Sequence, residues 1–128
     1  MESKDQVSTS LAPAPLHGAP YSQGIRANGF IFVSGQLGLR PGGEGPVSDS
    51  VEEQTAQALA NVAEILEAAG SDISQIVKTT VFLTTLANFD AMNSVYRDRI
   101  EGVPPARATV AAGLPKGYLV EIEAVALV

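Results

Sequence analysis

The stretch that decides the fold is YLVEIEAVALV, residues 118–128. Side chains of a strand alternate between its two faces, so this stretch separates into an even and an odd set. The even set is apolar and predicts a core face: Tyr118, Val120, Ile122, Ala124 and Ala126. The odd set places Glu121 and Glu123 among Leu119, Val125 and Leu127, and a face this apolar needs a cover.

The elements before this strand follow from local patterns. Apolar positions at a helical period predict a helix from Val51 to Ala69, with Ser50 capping its start and Gly70 its end. A second helix is predicted over residues 89–100. Runs of apolar and β-branched residues predict strands at FIFVSGQLGL (30–39), IVKTTVFL (76–83) and RATVAA (107–112). This order predicts an α+β sandwich, a mixed sheet with two helices on one face.

The chain of 128 residues has the size of one domain. Residues 1–18 are polar and then rich in Ala and Pro, without a period that would bury a face. They are predicted to be a flexible N-terminal tail, and residues 19–128 a single domain.

Composition excludes several classes of function. A formal net charge of −6 disfavours nucleic acid as a partner. The chain has no Cys and one His, so we expect no metal site and no cofactor. No apolar run is long enough to span a membrane, and the first residues lack the apolar core of a signal peptide, so a cytoplasmic protein is expected.

The last two predicted strands are joined by GLPKG, residues 113–117, and are expected to form a hairpin. The hairpin register would place Arg107 across from Glu123 and Thr109 across from Glu121, with the small residue Ala108 on the helix side. Arg107 could then bind a substrate carboxylate while a glutamate activates a water molecule. The alternative is an ordinary cross-strand ion pair at an interface, which spacing alone favours.

A longer pattern adds to these observations. The run PPARATVAAGLPKGYLVEIEAVA, residues 104–126, resembles the C-terminal signature of the RidA/YjgF family. Three upstream blocks resemble other family motifs in the same order: GAPYSQG (18–24), VSGQLG (33–38) and NFDAMNSVY (88–96). The resemblance implies a chorismate-mutase-like sandwich that assembles as a homotrimer with a barrel-like centre and sites between subunits. Such an assembly would cover the odd face.

The resemblance also implies roles for individual residues. Arg107 matches the carboxylate-binding arginine, and Glu121 matches the water-orienting glutamate. Tyr21, Gly35 and Asn93 match the site tyrosine, the SGQ glycine and the helix asparagine. Each of these three also has a structural reading: Tyr21 as a packing aromatic, Gly35 as a point of close backbone approach, and Asn93 as a surface helix residue.

One position departs from the family pattern. Thr109 stands where archetypal members carry a cysteine that lines the same cleft, so a small polar group remains without thiol chemistry. This departure leaves the preferred substrate and the response to thiol modifiers open.

The function implied by the resemblance is hydrolysis of 2-imino acids, such as 2-iminobutanoate and 2-iminopropanoate, to 2-keto acids and ammonia. Two alternatives stay open. One is an endoribonuclease that acts on single-stranded RNA and inhibits translation, which the acidic composition disfavours. The other is a non-enzymatic trimer that binds a small carboxylate or acts like a chaperone.

Overall fold

A six-stranded mixed sheet carries two α-helices on one face in the computed structural model, which describes residues 3–128. The strands are β1 (Asp5–Val7), β2 (Gly24–Ala27), β3 (Phe30–Leu37), β4 (Ile76–Leu83), β5 (Ala106–Ala111) and β6 (Val120–Leu127), and the helices are α1 (Val51–Ala68) and α2 (Phe89–Arg99). The predicted α+β class is therefore confirmed. None of the helices within residues 3–128 is long and apolar enough to cross a membrane.

The strand order is β1-β2-β3-β6-β4-β5, so the last strand of the chain lies inside the sheet. It pairs antiparallel with both β3 and β4. This central position agrees with its even face, because Val120, Ile122 and Ala126 are fully buried against the helix layer. The odd face of β6, with Glu121 and Glu123, points to the side of the sheet that has no helix, here called the open face.

The expected hairpin between β5 and β6 is wrong. Strand β5 pairs with β4, in parallel, and β4 lies between β5 and β6. Parallel neighbours need a long crossover, and α2 supplies it between β4 and β5. The 113–117 loop instead carries the chain to the centre of the sheet, where the buried amide of Gln54 donates to Gly117 O (3.0 Å) and accepts from Leu119 N (2.8 Å).

The expected facing of β5 is wrong as well. Arg107 pairs with Thr79, which is 1% exposed and lies under α2, so Arg107 and Thr109 share the helix side of the sheet. Ala108 and Val110 lie on the open face. The small side chains had suggested the opposite arrangement, but β5 is an edge strand whose helix side is only partly covered. A polar side chain is tolerated there.

Both predicted ends of α1 are confirmed. The Ser50 hydroxyl accepts a hydrogen bond from Glu53 N at 3.2 Å and caps the N-terminus. Gly70 follows the helix at φ +88°, and Ser71 N donates to Leu66 O at 2.9 Å, which closes the last turn. Helix α1 therefore starts and stops where local chemistry dictates.

The segment predicted to be a flexible tail pairs and packs with the rest of the chain from Asp5 onward, while residues 1 and 2 lie outside the described residues. Strand β1 pairs with β2, and Val7 and Ala12 are 6% and 3% exposed in the cluster below α1. The segment is short of apolar residues, but it buries these two and anchors its backbone on the amide of Gln23. Residues Thr9–Gly18 are called the arm below.

Candidate functional site

An open cavity of about 420 Å³ lies between the arm, β3 and β6, and is called the glutamate cavity. This volume is within the range of small-molecule sites. The lining combines apolar residues with polar and acidic ones: Pro13, Ala14, Leu16, Leu37 and Leu39, and Tyr21, Ser34, Gly35, Gln36, Glu121 and Glu123.

Glu121 is the half-buried carboxylate of this cavity. Burial raises the pKa of its carboxyl above the usual range, and the negative charge of Glu123 raises it further. A carboxyl with a raised pKa holds a proton more tightly than an ordinary glutamate, so it is suited to take one from water near neutral pH. Glu121 therefore has the environment of a general base.

Gly35 lies directly beneath Glu121. A Cβ built on Gly35 would lie 2.8 Å from Glu121 Cδ and 2.9 Å from its Oε1, far inside van der Waals contact. The close approach expected at this glycine is real, and the group that approaches is the candidate catalytic side chain. The pairing of β3 with β6 also shifts register between Val33 and Gln36, so the strand is irregular at this point.

Tyr21 lies on the other wall of the cavity and is 40% exposed, so it is not a core aromatic. Its hydroxyl accepts a hydrogen bond from Leu16 N at 2.8 Å. A phenol that accepts one hydrogen bond retains its own proton for donation. The adjacent Ser22 carbonyl accepts from the Ser34 hydroxyl at 2.5 Å, which ties the Tyr21 segment to β3 beside Gly35.

Arg107 lies elsewhere, on β5 beneath α2. Its guanidinium carbon lies 4.8 Å from the centroid of the Tyr96 ring and 5.6 Å from that of Phe89. Such stacking holds the planar group in a fixed orientation. Glu123 lies two strands away on the opposite face, so the Arg107–Glu123 ion pair is wrong.

Asn93 and Thr109 belong to the neighbourhood of Arg107. Asn93 follows Phe89 by four residues and precedes Tyr96 by three, so the three share one side of α2. Thr109 is two residues beyond Arg107 and therefore lies on the same face of β5. Arg107, Asn93 and Thr109 are called the arginine cluster.

The six site residues indicated by the sequence thus form two groups on opposite faces of the sheet. Tyr21, Gly35 and Glu121 line the glutamate cavity, whereas the arginine cluster lies on the helix side at the sheet edge. None of the described residues lining the cavity carries a positive charge. A carboxylate ligand would therefore find no cation of the same chain there.

Among residues 3–128, no group of three or more His, Cys, Asp and Glu side chains is arranged to hold a metal ion. The ionisable chemistry of the cavity is carried by its two glutamates and Tyr21.

Several lining residues were missed by sequence reasoning. Ser34 and Gln36 lie within the VSGQLG block, and their proximity to Gly35 was the available signal. Pro13, Leu16 and Leu39 had no such signal, because their part in the cavity depends on how the arm folds back along β2 and β3.

Comparisons with known proteins agree with this geometry. The family model described as Endoribonuclease L-PSP matches residues 10–128. Reactive Intermediate Deaminase A of Arabidopsis thaliana, a chloroplastic protein, is 48% identical over 96% of the chain, which spans 65% of that relative's length. The 2-iminobutanoate/2-iminopropanoate deaminase of Mus musculus is 44% identical over 94% of the chain and 89% of the relative.

Solved structures extend the similarity to three dimensions. The crystal structure of yeast Mmf1 superposes with a TM-score of 0.91 at 39% identity, covering 98% of each chain. The YjgF gene product from E. coli gives a TM-score of 0.86 at 39% identity, covering 96% of this chain and 98% of that one. With these matches across nearly its whole length, the chain belongs to the Endoribonuclease L-PSP family, which is the RidA/YjgF family.

Proposed function

We propose that the protein hydrolyses 2-imino acids, including 2-iminobutanoate and 2-iminopropanoate, to 2-keto acids and ammonia. The observation that carries this proposal is the Glu121 carboxyl, whose pKa is raised by burial, standing over Gly35 in an open cavity. The names of relatives at 44–46% identity, which are 2-iminobutanoate/2-iminopropanoate deaminases, support the same chemistry.

Substrate binding in this proposal joins the two groups of residues from different copies of the chain. The glutamate cavity of one copy receives the imine, and Arg107 of a second copy binds the carboxylate through two N–H groups. Stacking on Tyr96 and Phe89 fixes the plane of that guanidinium before the substrate arrives. The backbone N–H of Gly35 assists at the carboxylate, and Asn93 and Thr109 line the same side as Arg107.

Glu121 then orients a water and takes a proton from it as the oxygen attacks the imine carbon. The imine nitrogen gains a proton in the same step, and the product is a tetrahedral amino alcohol. Its C–N bond breaks as the nitrogen gains a second proton and the hydroxyl group loses its own, so that the C=O bond forms and ammonia leaves. Tyr21 shapes the cavity and has a hydroxyl proton available for this transfer. Free imines already hydrolyse in water, so the modest acceleration required needs no metal or cofactor.

The assembly that unites the two groups also covers the open face. Phe30, Phe32 and Leu127 on that face are 36%, 46% and 41% exposed in a single chain, and Val125 lies among them. A contiguous apolar surface of this kind is normally buried in an interface. We therefore propose the homotrimer with a barrel-like centre, in which three open faces pack together.

The first experiment tests turnover. A dehydratase generates the imine, semicarbazide traps it, and added protein is expected to slow semicarbazone formation by removing the imine first. Unchanged trapping kinetics would contradict the proposal. Binding of a 2-keto acid without turnover would support the non-enzymatic carboxylate-binding alternative instead.

The second experiment tests whether each site joins two copies. Arg107→Ala and Glu121→Ala proteins are each expected to lose most of their activity, but trimers reassembled from an equal mixture should regain about a quarter of the wild-type sites. The statistical reason is that such a site needs the arginine from one variant and the glutamate from the other. The control is an equal mixture of the two variant trimers that have not been dissociated, so that no subunits are exchanged. No recovery in demonstrably mixed trimers would contradict a shared site.

The endoribonuclease alternative has weaker support, despite the description of the family model. The cavity contains two carboxylates, and the whole chain has a net charge of −6, so an RNA phosphate would be repelled. RNA cleavage that copurifies with the assembled protein and disappears in the Arg107→Ala variant would favour this alternative.

A further inference from the structure

An open cleft of about 320 Å³ lies on the helix side of the sheet and is called the helix cleft. Three parts of the chain form it: the segment between β3 and α1, helix α1 itself, and the last turn of α2. Its volume is at the lower end of the range of small-molecule sites, so its ligand would be small. The lining residues are Arg40, Val47, Glu53, Ala56, Gln57, Ala60 and Arg99.

Two of these residues are arginines, although the chain as a whole has a net charge of −6. Arg40 follows the end of β3, and Arg99 is the last residue of α2, so the fold brings two guanidinium groups from distant parts of the chain to one cleft. A guanidinium group can donate two parallel hydrogen bonds to a carboxylate. The arginines therefore give the helix cleft the means to bind a carboxylate.

Hydrogen-bond acceptors are supplied by Glu53 and Gln57, which lie four residues apart on one side of α1. The Ser48 hydroxyl donates to Glu53 Oε1 at 2.8 Å, and Gln57 Nε2 donates to Asn61 Oδ1 at 2.8 Å. Each bond uses one end of the side chain, so Glu53 Oε2 and Gln57 Oε1 can accept hydrogen bonds from a ligand. A carboxylate oxygen beside an amide oxygen suits an ammonium group.

Gln57 is held in place through the protein core. Its partner Asn61 is fully buried, and Asn61 Nδ2 donates to the Leu37 and Leu39 carbonyls at 3.2 and 2.8 Å. Supporting hydrogen bonds of this kind lock the rotamer of a binding residue before the ligand arrives. The acceptor side of the helix cleft is therefore oriented in advance.

We infer that the helix cleft is a second binding site, which takes a small α-amino acid in its zwitterionic form. The two arginines bind the carboxylate, and the Glu53–Gln57 pair binds the ammonium group. The apolar lining residues Val47, Ala56 and Ala60 contact a short side chain. Because the helix cleft lies on the helix side, it stays accessible when the open faces pack together in the proposed trimer. The inference does not depend on the proposed function.

NMR titrations of the backbone amides test the inference with four probes: L-alanine, propionate, ethylammonium and inorganic phosphate. L-Alanine is expected to give saturable shifts centred on Arg40, Gln57 and Arg99. Propionate and ethylammonium each lack one of the two charged groups, so they should bind at least about tenfold more weakly. Phosphate shows whether the arginines bind any anion. Propionate or phosphate binding as tight as that of L-alanine would contradict an amino-acid site.

Variants of the lining residues test the assignment of each group. Arg40→Gln and Arg99→Gln should each weaken L-alanine binding by about tenfold or more. Glu53→Gln should weaken the binding of L-alanine but not that of propionate, which has no ammonium group. Arg97→Gln is the matched control, because Arg97 is an exposed arginine in the same turn of α2 but does not line the cleft. Thermal unfolding checks that all four variants are folded.

Variants of the proposed active site separate the two binding sites. Arg107→Ala and Glu121→Gln proteins should bind L-alanine at the helix cleft as the wild type does. Loss of the shifts in either variant, shifts confined to the glutamate cavity, or unchanged binding in both Arg40→Gln and Arg99→Gln would overturn the inference. Absence of saturable binding to the wild-type protein would overturn it as well. Since binding and not turnover is measured, a failure of imine hydrolysis would count against the proposed function alone.

Discussion

Replacing Gly35 by alanine adds a single methyl group at the point where the structure brings Glu121 closest to the backbone. The added Cβ would lie 2.8 Å from Glu121 Cδ, 2.9 Å from Oε1 and 3.1 Å from Cγ. Ordinary carbon contacts are about 3.5–4.0 Å, so the carboxyl group must move away by about 1 Å. Gly35 does not have a positive φ, so alanine meets no backbone strain.

The expected consequence is loss of activity without loss of fold. A misplacement of about 1 Å in a catalytic group can cost about 100-fold in rate, equivalent to about 2.7 kcal/mol. The loss should fall mainly on kcat, because Arg107 and the Gly35 N–H remain available to bind the carboxylate. The cost in stability should be small, since the obstructed atoms are at the end of a flexible side chain.

Two other glycines provide the controls. Gly45 has no atom within 4 Å of a built Cβ, so Gly45→Ala should keep both activity and melting temperature. A Cβ on Gly38 would lie 2.6 Å from Gln54 Cα, and backbone cannot rotate away, so Gly38→Ala should lower the melting temperature. Imine trapping and thermal unfolding of all three variants check the reasoning. A fully active Gly35→Ala protein, or one as destabilised as Gly38→Ala, would refute it.

Three further predictions concern the proposed site and its assembly. Glu121→Gln should abolish turnover yet stabilise the folded protein at pH 7, because a carboxyl whose pKa is raised on folding opposes folding once it is ionised. The gain in stability should disappear below about pH 4.5, where the carboxyl is protonated in the folded and the unfolded chain. Chemical denaturation at several pH values checks this. Arg107→Lys should lower kcat/KM by a large factor, and Arg107→Ala should lower it by more, on the order of 2–4 kcal/mol in transition-state binding. Neither variant should change the melting temperature much. An active but destabilised Arg107→Ala protein would contradict the carboxylate-binding role. Light scattering should give the mass of three chains, and a mass near 13.3 kDa would argue against the assembly.

The parts of the fold that local sequence controls were predicted well. Strand β4 spans Ile76–Leu83, as its β-branched run indicated, and α1 begins and ends at the Ser50 and Gly70 signals. The two faces of β6 were also separated correctly, because period two needs no knowledge of the neighbouring strands. These features depend on hydrogen bonds and side-chain directions within a few residues.

The features that failed depend on distant partners. A short loop after β5 favoured a hairpin with β6, yet the crossover through α2 places β5 beside β4 and leaves the central position to β6. Nothing in residues 107–128 alone reveals that β5 pairs with β4 and not with β6. The prediction of the face on which Arg107 lies failed for the same reason. The alternation of side chains along a strand separates its two faces but does not show which of them meets α2. The packing of the arm was missed because its backbone is held by hydrogen bonds to the distant residue Gln23, in addition to the burial of Ala12.

The corrected topology changes what the site requires. In the expected register, Arg107 and Thr109 would have shared a face with both glutamates. In the structure, Glu121 is on the open face and Arg107 is on the helix side beneath α2. We propose that packing the apolar open faces of several copies together both buries Phe32 and Leu127 and brings an arginine to each glutamate cavity. On this reasoning the burial that stabilises the proposed trimer also completes its active sites, so a chain that stays monomeric would keep Glu121 in its cavity but have no cation for a substrate carboxylate.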